Sequence, residues 1–115
     1  MKEAAEFSIE TRCDGDDCVI VLSGEINLRS SPDLHASLLK TIERRPARII
    51  LDLAEVSYMD SSGVGTLVEI KRRVGGYKGK LILISLQPRV RGLFQITRLE
   101  QFFTIAADVD EARKA

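Results

Sequence analysis

The stretch from Arg48 to Val74 constrains the fold more than any other part of the chain. It opens with the apolar run Ile49–Leu51 followed by Leu53, a pattern typical of a buried strand. It closes with apolar residues at helical spacing: Val64, Leu67, Val68 and Ile70. The small polar residues Asp60–Gly63 separate the two patterns, and such residues cap helices. We therefore predict a strand that leads into a helix, with the first backbone N–H groups of the helix open to an anion.

A serine at such a junction has three roles open to it: a capping group, a nucleophile or a phosphorylation target. A nucleophile elbow needs Gly-x-Ser-x-Gly, and neither Ser61 nor Ser62 has glycines two positions before and after it. The only histidine, His35, lies early in a predicted helix, where a surface position is the common one. Gly63-Val64-Gly65 also fails as a nucleotide fingerprint, because Val68 stands where the third glycine would be. We predict no enzymatic activity.

The rest of the chain alternates strand and helix patterns. Before Arg48 we predict strands at Phe7–Thr11 and Val19–Leu22, interrupted after Leu22 by Gly24 and Asn27. A helix should follow, with Ser31 as its cap and Pro32 at its first position. Its predicted inward residues are Leu34, Leu38, Leu39 and Ile42, with Arg44 and Arg45 in its last turn.

After Val74 the second helix should end near Gly75-Gly76, and Leu81–Ile84 should form a buried strand. Pro88 opens a predicted short helix. Its expected inward residues are Val90, Leu93, Phe94 and Ile96. Phe102–Ile105 reads as a last strand, and Asp108 as the cap of a helix through Ala112. Such alternation favours an α/β fold: a small mixed β-sheet with an N-terminal antiparallel hairpin and packed α-helices.

The composition limits the partners. The 115 residues are 44% hydrophobic, which fits one domain over residues 1–115, and 17 basic residues balance 17 acidic ones. With no net charge, we expect neither nucleic acid nor a membrane surface as a partner. No apolar run approaches the roughly 18 residues that span a bilayer, and Met1–Glu6 lacks the apolar core of a signal peptide. We expect a cytoplasmic protein without cofactors.

Cys13 and Cys18 flank an acidic turn that should bring them close together across the hairpin. A disulfide is geometrically conceivable, but in a reducing compartment we expect two free thiols. A zinc site needs about four ligands, and His35 is the only other soft one. The turn also lacks the spacing of a calcium loop, so we expect no metal.

The motif Asp60-Ser61-Ser62-Gly63-Val64-Gly65, with Gly24-Glu25-Ile26 upstream, resembles the STAS domain of bacterial anti-sigma factor antagonists. The similarity spans nearly the whole chain from Phe7. It implies the STAS fold, with Ser62 as the serine that an anti-sigma factor kinase of the GHKL type phosphorylates, and a PP2C-type phosphatase that resets it. The implied function is an antagonist that binds the anti-sigma factor only while unphosphorylated. A constitutively binding STAS scaffold, in a signalling assembly or on a transporter, is the alternative.

The partner-binding surface implied by the resemblance joins two loops that should meet at one end of the sheet. It consists of Gly24, Glu25, Asn27, Asp60, Ser61, Ser62 and Gly63. Asn27 stands where many members carry Asp; this change preserves hydrogen bonding in the loop and removes a charge. Arg98 stands at a turn where a glycine is common in the family.

Overall fold

The computed structural model describes residues 6–115, so most of the N-terminal segment Met1–Glu6 lies outside the described residues. Nine elements follow one another along the chain. They are β1 (Ser8–Asp14), β2 (Asp17–Ile26), α1 (Ser31–Ile42), β3 (Arg48–Met59), α2 (Ser61–Gly76), β4 (Lys80–Ile84), α3 (Pro88–Ile96), β5 (Thr104–Ala106) and α4 (Val109–Ala112).

The five strands form one sheet in the order β1-β2-β3-β4-β5. β1 and β2 pair antiparallel, and the remaining neighbours pair parallel. The parallel pairs follow from the helical crossovers, because a helix that packs back on the sheet returns the chain to the starting edge. The predicted mixed α/β sheet with an N-terminal hairpin is therefore confirmed.

The sheet buries both faces, but unequally. Alternate residues of the central strands, such as Leu51 and Leu83, join the inner sides of α1, α2 and α3 in the main core. Ile50, Ile82 and Ile84 point to the other face, where α4 covers them through Ala112. Because neighbouring residues of a strand point to opposite faces, a continuous apolar run is what two covered faces require.

The carboxyl ends of β2, β3 and β4 meet at one end of the sheet, and α1, α2 and α3 all begin there. The turn of the β1–β2 hairpin lies at the opposite end. There the backbone oxygen of Asp16 accepts hydrogen bonds from Ala47 and Arg48, and the Asp17 carboxylate pairs with Arg48 and with Arg113. This arrangement separates the helix starts from the hairpin turn by the length of β3.

Several predicted boundaries are wrong. β2 does not stop before Gly24 but continues to Ile26, with register shifts on either side of it. Gly24 adopts φ +99, and a Cβ there would lie 2.7 Å from the backbone oxygen of Glu6. The strand therefore passes through this position only because glycine has no side chain to clash and tolerates positive φ.

The ends of the first helix also differ from the prediction. The N-cap of α1 is Ser30 rather than Ser31, and α1 ends at Ile42, so Arg44 and Arg45 lie beyond its last turn. The Ser30 hydroxyl donates to the backbone oxygen of Glu25 instead of capping the helix. Ser31 is itself buried in the first turn.

The third helix places one apolar residue on the opposite side from the prediction. Val90 and Phe94 are buried as expected, whereas Ile96 is 83% exposed. Ile96 lies six residues after Val90, and in a helix with 3.6 residues per turn this separates their side chains by a rotation of about 240° around the axis. Ile96 therefore points away from the core.

The two cysteines correct another expectation. Cys13 and Cys18 are directly opposite in the hairpin and form a disulfide. The expectation of two free thiols rested on the compartment, whereas the short turn and the pairing register bring the side chains together.

Candidate functional site

The loop between β3 and α2 is organised by Asp60. Asp60 is the N-cap of α2 with extended backbone angles, and its carboxylate accepts a hydrogen bond of 2.9 Å from the N–H of Ser62. Its backbone oxygen accepts from the N–H groups of Gly63 and Val64 at 3.1 and 3.2 Å. The sequence predicted open N–H groups here, but Asp60 already accepts hydrogen bonds from two of them, those of Ser62 and Gly63, and the Val64 bond is the first regular one of the helix.

The Ser62 hydroxyl is held by the same carboxylate. It donates to Asp60 Oδ1 across 2.6 Å, a short bond of the kind that ionised acceptors form. The side chain of Ser62 is half-buried, whereas its neighbour Ser61 is exposed. One serine of the pair is therefore oriented by a charge, and the other extends into solvent.

This contact lowers the pKa of Asp60 below its ordinary value of 3.8. The hydroxyl of Ser62 is the largest cause, and the backbone N–H groups of Ser62 and Gly63 add to it, while partial burial acts in the opposite direction. Asp60 is thus ionised at neutral pH, so it orients the hydroxyl by accepting its hydrogen bond and is a weak acceptor for a whole proton.

Gly63 is required by packing rather than by backbone conformation. A Cβ at this position would lie 2.6 Å from Cγ2 of Ile26 and 2.8 Å from Cγ of Met59. The start of α2 therefore rests directly on the ends of β2 and β3. This close contact fixes the position of Ser62 relative to the sheet.

The upstream loop lies next to this junction, as the sequence predicted. The N–H of Asp60 donates to the backbone oxygen of Ile26, and Glu25 is the register partner of Tyr58. Asn27 Oδ1 accepts hydrogen bonds from the N–H groups of Arg29 and Ser30. The amide thus makes the contacts that an aspartate would make, and the two loops form one surface at the helix starts.

His35 belongs to a different network. Its Nε2 lies 3.0 Å from the Glu69 carboxylate, which also pairs with Arg73, and both contacts lower the pKa of Glu69. This network joins α1 to α2 two turns beyond Ser62. The oriented serine is hydrogen-bonded to a carboxylate, whereas His35 is paired with Glu69 on the neighbouring helix.

A groove that the sequence did not predict lies on the α3 side of the junction. Tyr58, Asp60 and Ser61 line one side of it, and Leu93 and Ile96 line the other. The spacing of Ile96 relative to Val90 was the signal that could have revealed it.

Within residues 6–115, no three His, Cys, Asp or Glu side chains lie close enough to hold a metal ion. None of the described helices has the length and apolar content that crossing a bilayer requires.

The fold and this surface define a small α/β domain that presents a serine, oriented by a carboxylate, at the start of a helix. The family model of the STAS domain matches residues 8–112. The chain belongs to the STAS domain family, and the resemblance of its two motifs to that family is confirmed.

Named relatives and solved structures agree with this assignment. The anti-sigma-B factor antagonist of Bacillus subtilis is 33% identical over 101 residues, which cover 88% of this chain and 92% of that protein. The anti-sigma factor antagonist SpoIIAA in its unphosphorylated form is 28% identical, with a TM-score of 0.78 over 96% of this chain and 98% of that one. The phosphorylated form of Bacillus SpoIIAA has a TM-score of 0.70 at 28% identity over 95% and 97%.

Proposed function

We propose that this protein is an anti-sigma factor antagonist: it binds an anti-sigma factor through the surface around Ser62, and phosphorylation of Ser62 ends the binding. The observation that carries the proposal is the 2.6 Å hydrogen bond from Ser62 to the ionised Asp60 at the start of α2. The names of the relatives and the two solved forms of SpoIIAA support the same function. Such an antagonist acts in the cytoplasm, where sigma factors work.

The proposed chemistry places Ser62 as a substrate. Its oxygen attacks the γ-phosphorus of ATP held by the partner, the bond to the β,γ-bridging oxygen breaks, and ADP leaves. Asp60 orients the hydroxyl, but its lowered pKa makes it a poor final acceptor of the serine proton. The base therefore comes from the kinase, which by resemblance is of the GHKL type, and a PP2C-type phosphatase would restore the hydroxyl.

The physical basis of the switch is a difference between the free and the bound protein. In the free protein, a phosphate adds about −1.5 to −2 charges to a helix start that water reaches. The positive end of the helix offsets part of the repulsion from Asp60. In a complex, the same dianion would lose its water, which costs several kcal/mol unless the partner supplies matching charge. Phosphorylation therefore separates the partners without a change of fold.

The experiment is phosphorylation by the purified candidate anti-sigma factor with ATP, followed by intact mass measurement and mapping of the modified serine. We expect one phosphate on wild type, none on Ser62→Ala and one on the matched control Ser61→Ala. Ser62→Ala should still bind the anti-sigma factor. Modification of Ser62→Ala at the wild-type level would show that the assignment to Ser62 is wrong.

We further propose that the protein is a binding partner and not an enzyme. Ser62 is hydrogen-bonded to a weak base, and His35 is engaged with Glu69. Wild type should not hydrolyse a generic ester or a phosphate monoester. Turnover that disappears in Ser62→Ala would contradict this.

A further inference from the structure

The groove beside the proposed phosphorylation site has a volume of about 500 Å³. Residues 58–61, at the end of β3 and the start of α2, form one wall. The outer side of α3 forms the other wall through Arg89, Gly92, Leu93 and Ile96. Because Asp60 and Ser61 belong to the groove, it is continuous with the surface around Ser62.

Apolar side chains line the groove; Leu93 also packs against the main core, whereas Tyr58 and Ile96 do not belong to it. Ile96 is 83% exposed and Tyr58 is 38% exposed, while Leu93 between them is half-buried. A single exposed apolar residue is common on protein surfaces. Apolar residues gathered from two elements around one recess, with a polar edge, are typical of a protein-binding surface.

Gly92 keeps the groove open. It lies inside the nine-residue α3, and apart from its chain neighbours and the backbone of its own helix no atom lies within 4 Å of the position that its Cβ would occupy. The packing therefore does not require a glycine here, and a glycine inside a helix is less stable than an alanine. Any larger side chain at this position would extend into the space between the two walls.

Arg89 gives the groove its charge. It lies in the first turn of α3, where a basic group opposes the helix dipole and where acidic residues are the stabilising choice. Arg89 is exposed and has no ion pair among the described residues. Its position does not serve the helix, so it is available to an acidic group from outside.

We propose that this groove is the surface by which the protein selects its anti-sigma factor. Its occupant is an apolar side chain of the anti-sigma factor that packs between Tyr58 and Ile96, with a neighbouring carboxylate that pairs with Arg89. This inference rests on the proposed function, because the groove is continuous with the proposed phosphorylation site. Phosphate on Ser62 would then place charge at the edge of an apolar contact.

The test fills the groove from within. Gly92→Leu places a branched side chain between the walls. Gly75→Leu is the matched control, since Gly75 is also a helical glycine whose Cβ would meet no atom within 4 Å beyond its chain neighbours and its own helix backbone. Affinity is measured by calorimetric titration of the purified anti-sigma factor that phosphorylates wild type, beside a melting curve of each variant. We expect about tenfold or greater weakening for Gly92→Leu, wild-type affinity for Gly75→Leu, and no loss of melting temperature for either.

A second variant keeps the proposal falsifiable if Gly92→Leu fails to fold. Ile96→Ala removes a side chain that is mostly exposed, so it should fold normally and bind about tenfold more weakly. If Ile96→Ala binds the anti-sigma factor with wild-type affinity while Ser62→Asp binds it more weakly, the groove is not the binding surface, and the proposed function is unaffected. Wild-type binding by both of these variants would overturn the proposed function as well.

Discussion

Asp60 combines three tasks that usually fall to separate residues. It caps α2 with its carboxylate, it accepts two backbone N–H groups through its main-chain oxygen, and it orients the hydroxyl of Ser62. Each of these contacts depends on the extended backbone of Asp60 at the junction. A substitution at Asp60 should therefore change the stability of the fold and the orientation of the Ser62 hydroxyl together.

The stability contributed by the Asp60 charge should depend on pH in a defined direction. A carboxyl whose pKa is lowered by folding stabilises the native state above the unfolded pKa, and this contribution is lost as the pH falls through the folded pKa. Wild type should therefore exceed Asp60→Asn in unfolding free energy at pH 7, and the gap should close as the pH falls below 3.8, the ordinary pKa of the carboxyl, and through the lowered pKa of folded Asp60. Denaturant titrations of both proteins across this range measure it. A gap that is independent of pH would show that the charge of Asp60 does not stabilise the fold.

Ser62→Asp should separate folding from binding. The substitution removes the hydroxyl that donates to Asp60 and adds a like charge, so we expect a loss of about 1 kcal/mol in stability. Burial of an uncompensated charge in the complex should cost about 2 kcal/mol or more, at least about thirtyfold in affinity. Titration of the purified anti-sigma factor and a denaturation curve measure the two quantities. Ser62→Asn, of similar size but neutral, is the control, and equal binding by Ser62→Asp and wild type would favour the constitutive scaffold.

At the junction between sheet and helix, two glycines only two positions apart differ in the space available to a side chain. A Cβ at Gly63 would overlap Ile26 and Met59, whereas one at Gly65 would meet no atom within 4 Å beyond its chain neighbours and its own helix backbone. Gly63→Ala should therefore lower the unfolding free energy by about 1–3 kcal/mol through overpacking. Gly65→Ala should raise it by about 0.5–1 kcal/mol, because alanine favours the helix. Urea midpoints of the two variants check both signs, and a neutral Gly63→Ala would mean that α2 can move away from the sheet at little cost.

The stability of the protein should depend on whether the two cysteines of the hairpin are oxidised or reduced. Closing the short loop between Cys13 and Cys18 stabilises the fold by at most about 2 kcal/mol on the chain-entropy model, and less because the strands already pair. Reduction should lower the melting temperature of wild type and leave the double variant Cys13→Ala/Cys18→Ala unchanged. Alkylation of the purified protein without reductant, followed by intact mass, reports the state directly. Two labelled thiols under oxidising conditions would contradict the disulfide.

How far the sequence predicts this structure depends on what each pattern encodes. Apolar periodicity located the strands and the first three helices, with some shifted ends, because burial of one face is a local property of a segment; α4 was predicted from its cap, Asp108. Periodicity did not predict the passage of β2 through Gly24, since that depends on the approach of the backbone at Glu6, just before β1 begins. It also placed Ile96 inward, although that residue lies off the stripe defined by Val90 and Phe94.

The site was predictable where a side chain acts on its neighbours in sequence. Asp60 as a cap needed only local chemistry, whereas the hydrogen bonding of Asn27 in its loop was implied by the resemblance to the STAS domain. The groove was not predictable, because its walls come from β3 and α3, far apart in the chain. Arg98 is a similar case: the sequence marked it only as a departure from a glycine, and its φ of +61 shows why glycine suits that turn.

The complete fold relies on its last helix to cover the second face of the sheet. Deleting residues 109–115 would expose Ile50, Ile82 and Ile84, which are at most 2% exposed. We expect a loss of about 3 kcal/mol or more in unfolding free energy. Arg113→Ala removes only the ion pair with Asp17 and should cost about 1 kcal/mol or less. Chemical denaturation of both proteins measures the difference, and equal midpoints would show that α4 contributes little to this core.

The contact between Arg113 and Asp17 fixes where the C-terminal end of the domain emerges. This contact lies beside Arg48, the first residue of β3, whereas Ser62 lies just beyond the last residue of β3. Twelve residues of strand at about 3.3 Å each separate these points by roughly 35 Å. A fluorophore, a surface tether or a further domain joined after Arg113 would therefore leave the serine face clear. The same architecture suits a free-standing regulator and a module within a longer polypeptide.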